Sequence, residues 1–454
     1  MQGPSLRLDL AALNAGYARG TLDPVDVLQA LFAAVAHDTD RINAFCHLDP
    51  EGALQQARAA ALRWQRGKAL GPLDGVPVSI KDLAPVRGWP TRRGSSSTAE
   101  DPPADEDAPL VAHLRAAGAV LFGKTTTTEF GWTIASHNPH AGTTRNPRDT
   151  ARSAGGSSSG AAAQIAAGWG PLAIGSDAGG SVRIPASYCG VVGFKPSFGA
   201  IPAAPQSAFA EFAHYGPLAH TVADCERAMA VLGQPDPRDP SSLYPRSPAA
   251  ARPATLRIGW SLALGAQMRV QPEIEQALHG LLERLARAGH RLVAVPPLGL
   301  DAADAMWSVW QSRVHESFLD WPAARRALLA PALQALWAEG AGQSPERLAR
   351  ARARLRGLAG QLAQQFAGID LLLTPATPTV APLLAAEPDA VPHDWFAGNG
   401  YAWPFNLTQQ PALSLPLGRD AQGLPFNLQI VGQRHADALV LQGGRLVESL
   451  LAGE

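Results

Sequence analysis

Cysteine is scarce in this 454-residue chain: Cys46, Cys189 and Cys225 are the only three, far apart and odd in number. They form no CxxC pair and no Cys/His metal spacing, so neither a disulfide framework nor a metal site is indicated, and a reducing compartment fits best. An excess of charge of either sign is also missing. Lys and Arg number 38 against 39 Asp and Glu, for a net charge of -1, whereas a nucleic-acid binder would carry a strong basic bias. No run of about 18 apolar residues occurs, which argues against a membrane span. The opening MQGPSLRLDLAALNAG lacks the basic-then-apolar pattern of a signal peptide. These absences predict a soluble, cytoplasmic protein with no direct nucleic-acid partner and no membrane partner. What is there is near average, 46% hydrophobic and 17% charged, in a chain long enough for one large α/β unit or two to three ordinary domains.

Residues 1–67 read as N-terminal helices. Asp23-Pro24, an N-cap followed by proline, opens the apolar spacing of Val27, Leu28, Leu31 and Phe32. From residue 70 the texture changes to short apolar runs punctuated by Gly and Pro. Val76–Ile80, Ala119–Phe122 and Pro171–Ile174 read as buried strands, with helices near 107–117 and 158–168 between them. A Pro-rich connection at 234–254 follows. Strands are then expected at 256–260, 291–295, 370–374, 412–416 and 426–431, and helices at 271–288, 301–366 and 436–451. Alternating strands and helices predict an α/β layered fold with a largely covered sheet. The late strands are too short to make a core alone. One domain over 1–454 is therefore expected, with residues 70–233 as its centre and 255–454 completing the sheet and pocket.

Three segments carry chemistry: Gly75-Val-Pro-Val-Ser-Ile-Lys81-Asp82, Ala154-Gly-Gly-Ser157-Ser-Ser-Gly160, and Gly175-Ser-Asp177-Ala-Gly-Gly-Ser181-Val-Arg183. Each has an ordinary reading taken alone. A lysine at a strand end commonly snorkels to the surface, and a Gly/Ser-rich turn before a helix is commonly just a turn or a phosphate cradle. The phosphate reading weakens because no GxxxxGK[ST] is present and Lys81 lies upstream of both loops. A serine needs a base before it can act as a nucleophile. No GxSxG elbow is present, and His137, His140, His214 and His220 occupy no recognisable setting. A lysine desolvated enough to be neutral is the alternative base. Lys81 is the only lysine that the pattern places for such burial; Lys124 and Lys195 read as structural.

Together GVPVSIKD, AGGSSSG and GSDAGGSVRIPASYCGVVGFKPS resemble the hallmark segments of the amidase signature family, with Ser181 lying 24 residues after Ser157 and 100 after Lys81. Weaker echoes continue through GPLAHTVAD, LLLTPATP, PFNLTQQPALSLP and LPFNLQIVGQR, so the resemblance covers most of the chain. It implies a mixed central sheet covered by helices on both faces and a catalytic triad of Ser181, Ser157 and Lys81. Ser157 would follow a cis peptide bond from Gly156 and be supported by Ser158, and the backbone N–H groups of Ala178, Gly179, Gly180 and Ser181 would form the oxyanion hole. Asp177 and Arg183 are expected to brace the loop. Ala154, Ser159 and Ala178 depart from the residues common in the family, and none of these changes removes a catalytic atom.

The activity implied is hydrolysis of a small-molecule amide, with no cofactor and no metal. A homodimer is a further expectation. The rival reading resembles the amidase-type component of the aspartyl/glutamyl-tRNA amidotransferase, which passes ammonia to a partner protein. An inert scaffold on the same fold is a third, opposed by the intact Lys81, Ser157 and Ser181. For the pocket wall the candidates are Phe130, Trp132, Tyr215 and Trp403, with Tyr401 and Phe405 beside the last. The variable block 201–215 is a candidate for substrate selection, and His137–Asn146 a candidate lining for a urea-like or carboxylated amide.

Overall fold

A computed structural model describes residues 8–244, 253–264, 268–296, 302–386, 396 and 400–453; the connection expected over 234–254 falls partly outside them. The described strands of the main sheet are β1 (Phe45–Leu48), β2 (Pro77–Lys81), β3 (Val120–Thr125), β4 (Leu172–Asp177), β5 (Val192–Lys195), β6 (His214–Ala219), β7 (Arg257–Trp260), β8 (Arg291–Ala294), β9 (Leu371–Pro375), β10 (Ala412–Arg419) and β11 (Pro425–Gly432). They form one eleven-stranded mixed sheet in the order β1-β3-β2-β4-β6-β5-β10-β11-β9-β7-β8. Strands from both halves of the chain meet where β5 pairs antiparallel with β10, Phe194 opposite Leu413. β2 runs parallel to β3 on one side and β4 on the other, with Ile80 beside Ile174. That register puts the ends of β2 and β4, Lys81 and Ser176–Asp177, at the same edge.

Both faces of the sheet are covered, as its apolar strands require. On one face lie α1 (Leu10–Arg19), α4 (Pro109–Ala116), α7 (Val222–Leu232), α8 (Pro272–Arg287) and α14 (Asp437–Ala452). On the other, α2 (Pro24–Ile42), α3 (Pro50–Gln65), α5 (Ser159–Ala167) and α6 (Arg183–Cys189) enclose a core that includes Phe122, Ala162, Ile165 and Val182. The expected start of α2 is as drawn from the sequence, with the Val25 N–H donating to Asp23 Oδ1 at 2.7 Å. The expected helical stretch 301–366 is four helices: α9 (Ala303–Ser317), α10 (Ala323–Arg326), α11 (Pro331–Ala341) and α12 (Pro345–Gln365), the short α13 (Pro404–Leu407) following later. Prolines 322, 331 and 345 set the starts of α10 to α12, since proline suits a first turn and breaks an interior one.

Two expectations need correction. The span 1–67 is not all helix: after α2 ends at Asn43 in left-handed backbone (φ 58°), Phe45–Leu48 is an edge strand antiparallel to β3. A four-residue strand is too short to show a period. The inner strands β5 and β6 are also absent from the sequence reading, because Gly193, Gly216 and Pro217 interrupt their apolar pattern. Gly216 is needed there: a Cβ would lie 2.0 Å from the Phe194 carbonyl oxygen of the neighbouring strand.

Phe122, fully buried on β3, meets the rings of Phe32 and Phe45 edge-on. Phe122→Ala is expected to lower stability by about 3–5 kcal/mol, read as a fall in the urea midpoint. The same change at Leu62, half exposed on α3, should stay within about 0.5 kcal/mol of the parent.

Candidate active site

Lys81 ends a strand whose five residues are all buried, and its amine is sealed from solvent. Its Nζ lies 2.7 Å from Ser157 Oγ, 3.0 Å from Ser176 Oγ and 3.3 Å from the Ser176 carbonyl oxygen. Burial holds the amine well below the ordinary lysine value, with the nearby Asp177 carboxylate opposing only in part. An uncharged amine has two N–H groups and one lone pair. The two Ser176 oxygens can take the N–H groups, which leaves the lone pair facing the Ser157 hydroxyl.

Lys81 is not alone in being buried, contrary to the sequence reading. Of the four lysines, Lys68, Lys81, Lys124 and Lys195, the last three are all fully buried. Lys124 forms an ion pair with Asp82 at 2.8 Å and also bonds Pro90 and Thr91. Lys195 is held by the carbonyls of Pro196 and Gln410. Only Lys81 has partners, Ser157 and Ser176, that line the cavity.

The peptide bond between Gly156 and Ser157 is cis. Glycine is required at 156 by close approach, since a Cβ there would sit 2.3 Å from the Ala135 carbonyl oxygen. Ser158 staples three strands of chain together. Its hydroxyl donates to the Ser176 carbonyl at 3.1 Å and accepts from the Ser176 N–H at 3.2 Å, and its N–H donates to the Ser181 carbonyl at 3.2 Å. Ser181 is 6% exposed. Its hydroxyl has no partner among the described residues and makes no hydrogen bond to Ser157. Such contacts commonly tighten only when substrate is bound.

The loop between β4 and α6 is held by a sealed ion pair. Arg183 donates from Nε to Asp177 Oδ2 and from Nη2 to Oδ1, both at 2.9 Å. Its remaining donors reach the Ala402 carbonyl, Gln429 and Asn406. Burial alone would raise the Asp177 carboxyl, but the charge and hydrogen bonds of Arg183 outweigh it and keep the group ionised. Asp177 also accepts the N–H groups of Gly180 at 2.7 Å and Val182 at 3.1 Å. Of the four amides expected from the sequence to form an oxyanion hole, one is thus already engaged. The Gly180 N–H is engaged by Asp177, while those of Ala178, Gly179 and Ser181 have no acceptor among the described residues. Asn406, not singled out in the sequence, donates to Asp177 Oδ1 at 2.9 Å; a lone amide within the apolar PFNL is the available signal.

A cavity of about 530 Å³ opens over Ser157, Ser176, Asp177 and Ala178. Phe130, Trp132 and Tyr215 line it, as does much of the 201–215 block, including Ile201 and Phe209. Trp403 does not. It is fully buried, its indole N–H donating to the Phe396 carbonyl at 2.8 Å, and Tyr401 and Phe405 are likewise core residues. His137–Asn146 also lies outside the lining. Asn138 and Asn146 donate instead to backbone carbonyls of Thr127, Ser153 and Tyr188. Unforeseen lining residues come from α9 and beyond: Phe318 and Trp321 pack edge-on against Phe130, with ring centroids 4.9 and 5.7 Å away. His214, beside the cavity, is kept neutral by burial and by the charge of Lys195, and its Nδ1 faces the Phe212 carbonyl at 2.8 Å. Among the described residues no group of three or more His, Cys, Asp or Glu could hold a metal ion, and no helix is long and apolar enough to cross a membrane.

Known proteins resemble this chain in sequence and in fold. The model of the amidase family matches residues 26–441. An acylamidase of Rhodococcus erythropolis is 33% identical, over 96% of this chain and 94% of its own. The A-subunit of the glutamyl-tRNA(Gln) amidotransferase of Chloroflexus aggregans is also 33% identical, over 96% of this chain and 95% of its own. The solved structure of a bacterial aryl acylamidase of the amidase signature family is similar at a TM-score of 0.89 and 26% identity, covering 98% of this chain and 97% of that one.

Removing Arg183 would leave the Asp177 charge buried and unpaired. Arg183→Met is expected to destabilise by about 3–5 kcal/mol. Adding Asp177→Asn should recover part of that loss, so a double-mutant cycle by chemical unfolding should show strong coupling.

Proposed function

The chain belongs to the amidase signature family, and from that premise we propose that it hydrolyses the C–N bond of a small-molecule carboxamide through Ser181, Ser157 and Lys81. The observation that carries the reading is a fully buried lysine amine, its pKa pulled well below the ordinary value by desolvation, 2.7 Å from a serine hydroxyl at the base of a cavity. A cationic lysine has no lone pair and could not accept a proton; a desolvated one can.

In this mechanism Ser157 gives its proton to Lys81 and takes one from Ser181 as the Ser181 Oγ bonds to the amide carbon. The carbonyl oxygen becomes an oxyanion and is received by the amides of Ala178, Gly179 and Ser181, donors already oriented before the charge develops. The relay then runs backwards, the proton passes to the leaving nitrogen, and the C–N bond breaks to leave an ester on Ser181. Water attacks that ester by the same relay and frees the acid. No other group is required to balance these steps. The apolar wall of Phe130, Phe318 and Trp321 suits an amide with an aromatic or compact hydrocarbon portion.

The likeness to the amidotransferase component supports a second reading, in which glutamine is the substrate and a partner protein takes the ammonia. Glutamine brings an α-ammonium that needs a carboxylate. The lining carboxylates are engaged: Asp101 with Arg325, Asp177 with Arg183, and Asp239 with Ser241 and the Ala203 N–H. This favours a free-standing amidase.

Ammonia release by the purified chain tests the reading. Turnover of non-glutamine amides that disappears in Ser181→Ala is expected. Activity on glutamine alone, or only with an added partner, would overturn it. Lys81→Ala and Ser157→Ala should each lower kcat by about 10³-fold or more with unchanged circular dichroism. The pH profile carries a sign. Below its lowered pKa Lys81 is protonated and cannot serve as base, so kcat/KM should fall on the acid side and level off above it. An activity that rose only near the ordinary lysine value would contradict the assignment.

A further inference from the structure

Most charged groups along the cavity have an ion-pair or hydrogen-bond partner, and Arg93 is the exception. Arg325 pairs with Asp101 at 2.6 Å and lies over the Trp321 ring, 3.9 Å from its centroid. Arg93 also lines the cavity, half-buried, yet its guanidinium has no carboxylate and no hydrogen-bond acceptor among the described residues. The contrast with the adjacent Arg92, which donates to the carbonyls of Thr98 and Asp101, shows that acceptors are within reach of this segment. Three further observations bear on it. The backbone at Arg93 is left-handed (φ 53°), an unusual state for a residue with a side chain, and so is that of Phe130 (φ 49°). The Phe130 N–H donates to the Arg93 carbonyl at 2.8 Å, so the two positions fix one another while both side chains line the cavity. Such positions gather at ligand clamps. The Tyr215 hydroxyl, which lines the same cavity, has no partner either among the described residues, and it lies near enough for the charge of Arg93 to act on it.

Resting on the amidase reading above, we infer that Arg93, with the Tyr215 hydroxyl beside it, receives a carboxylate carried by the substrate, so that the enzyme selects anionic amides. A guanidinium presents a planar fork of N–H donors that matches a carboxylate, and a phenol O–H adds a further donor. The remainder of the wall, Phe130, Phe318 and Trp321, takes the hydrocarbon between the carboxylate and the amide. The substrate class is thus a monoamide of a dicarboxylic acid, uncharged at the reacting end and anionic at the other. With every described carboxylate of the lining engaged, zwitterions such as glutamine fall outside this class.

The test compares matched pairs on the full chain: para-carboxybenzamide against para-methylbenzamide, and the monoamide of adipic acid against hexanamide. Wild type is expected to show a higher kcat/KM for the anionic member of at least one pair. Arg93→Gln should collapse that ratio by about 10- to 100-fold, mainly through KM, and Arg93→Lys should restore part of it. A ratio near one in the wild type, or one unchanged in Arg93→Gln, would overturn the inference. If none of the four amides shows Ser181-dependent turnover, that result counts against the amidase reading, and calorimetric binding to the Ser181→Ala chain decides the carboxylate site separately. Tighter binding of the anionic members that is lost in Arg93→Gln supports it, and equal binding of both members refutes it.

Discussion

Desolvation of a single amine organises this molecule. Lys81 can act as a base only if it is uncharged, and its pKa is drawn well below the ordinary lysine value because the sheet and helices around it leave no water to solvate an ammonium. That places demands on the fold. β2 must be an interior strand, flanked by β3 and β4, and a helix must cover it closely, a role that the small residues of Ser159–Ala167 fill. The same strand order brings Ser176 to the amine as its hydrogen-bond partner. Lys124 supplies the contrast. It is equally buried, but Asp82 stands 2.8 Å away, and an ion pair favours the charged form. Lys195, buried without a carboxylate in bonding distance, touches only backbone carbonyls; burial makes a base only where a serine hydroxyl stands against the amine, as at Lys81.

The second requirement is a rigid loop from Asp177 to Arg183, and here the C-terminal half of the chain enters. Arg183 and Asp177 are bound by Gln429 on β11, Asn406 on α13 and the Ala402 carbonyl. A sealed ion pair is costly unless every donor and acceptor is met, and the five guanidinium donors here all have partners. The arrangement ties the late strands to the early ones and fixes the direction of the amides at Ala178, Gly179 and Ser181. It also uses the Gly180 amide as a structural donor.

Much of this is legible in the sequence, and the limits are physical. Lys81 stands out because it closes an apolar run, and Ser157 and Ser181 because Gly/Ser turns precede buried helices; these are local signals. The burial of Lys124 and Lys195 is not legible, because their partners Asp82 and Gln410 lie far off in the chain. Trp403 reads as a pocket residue and is a core one, since an aromatic ring in a loop can face a core or a cavity with the same local pattern. Phe318 and Trp321 reach the cavity from one segment and Arg93 from another far from it in the chain, and only the tertiary fold brings them together. β5 and β6 are hidden because Gly216, which lets β6 approach Phe194, also erases the strand signature.

The central claim is that Lys81 is a neutral amine in the folded protein at neutral pH. With only four lysines in the chain, selective 13Cε labelling and a pH titration by NMR can follow each of them, and the signal lost in Lys81→Met identifies the one in question. This resonance is expected to titrate well below 10.5, the ordinary lysine value, and to report an uncharged amine at pH 7. An ammonium at Lys81 that persists to about pH 10 would contradict it.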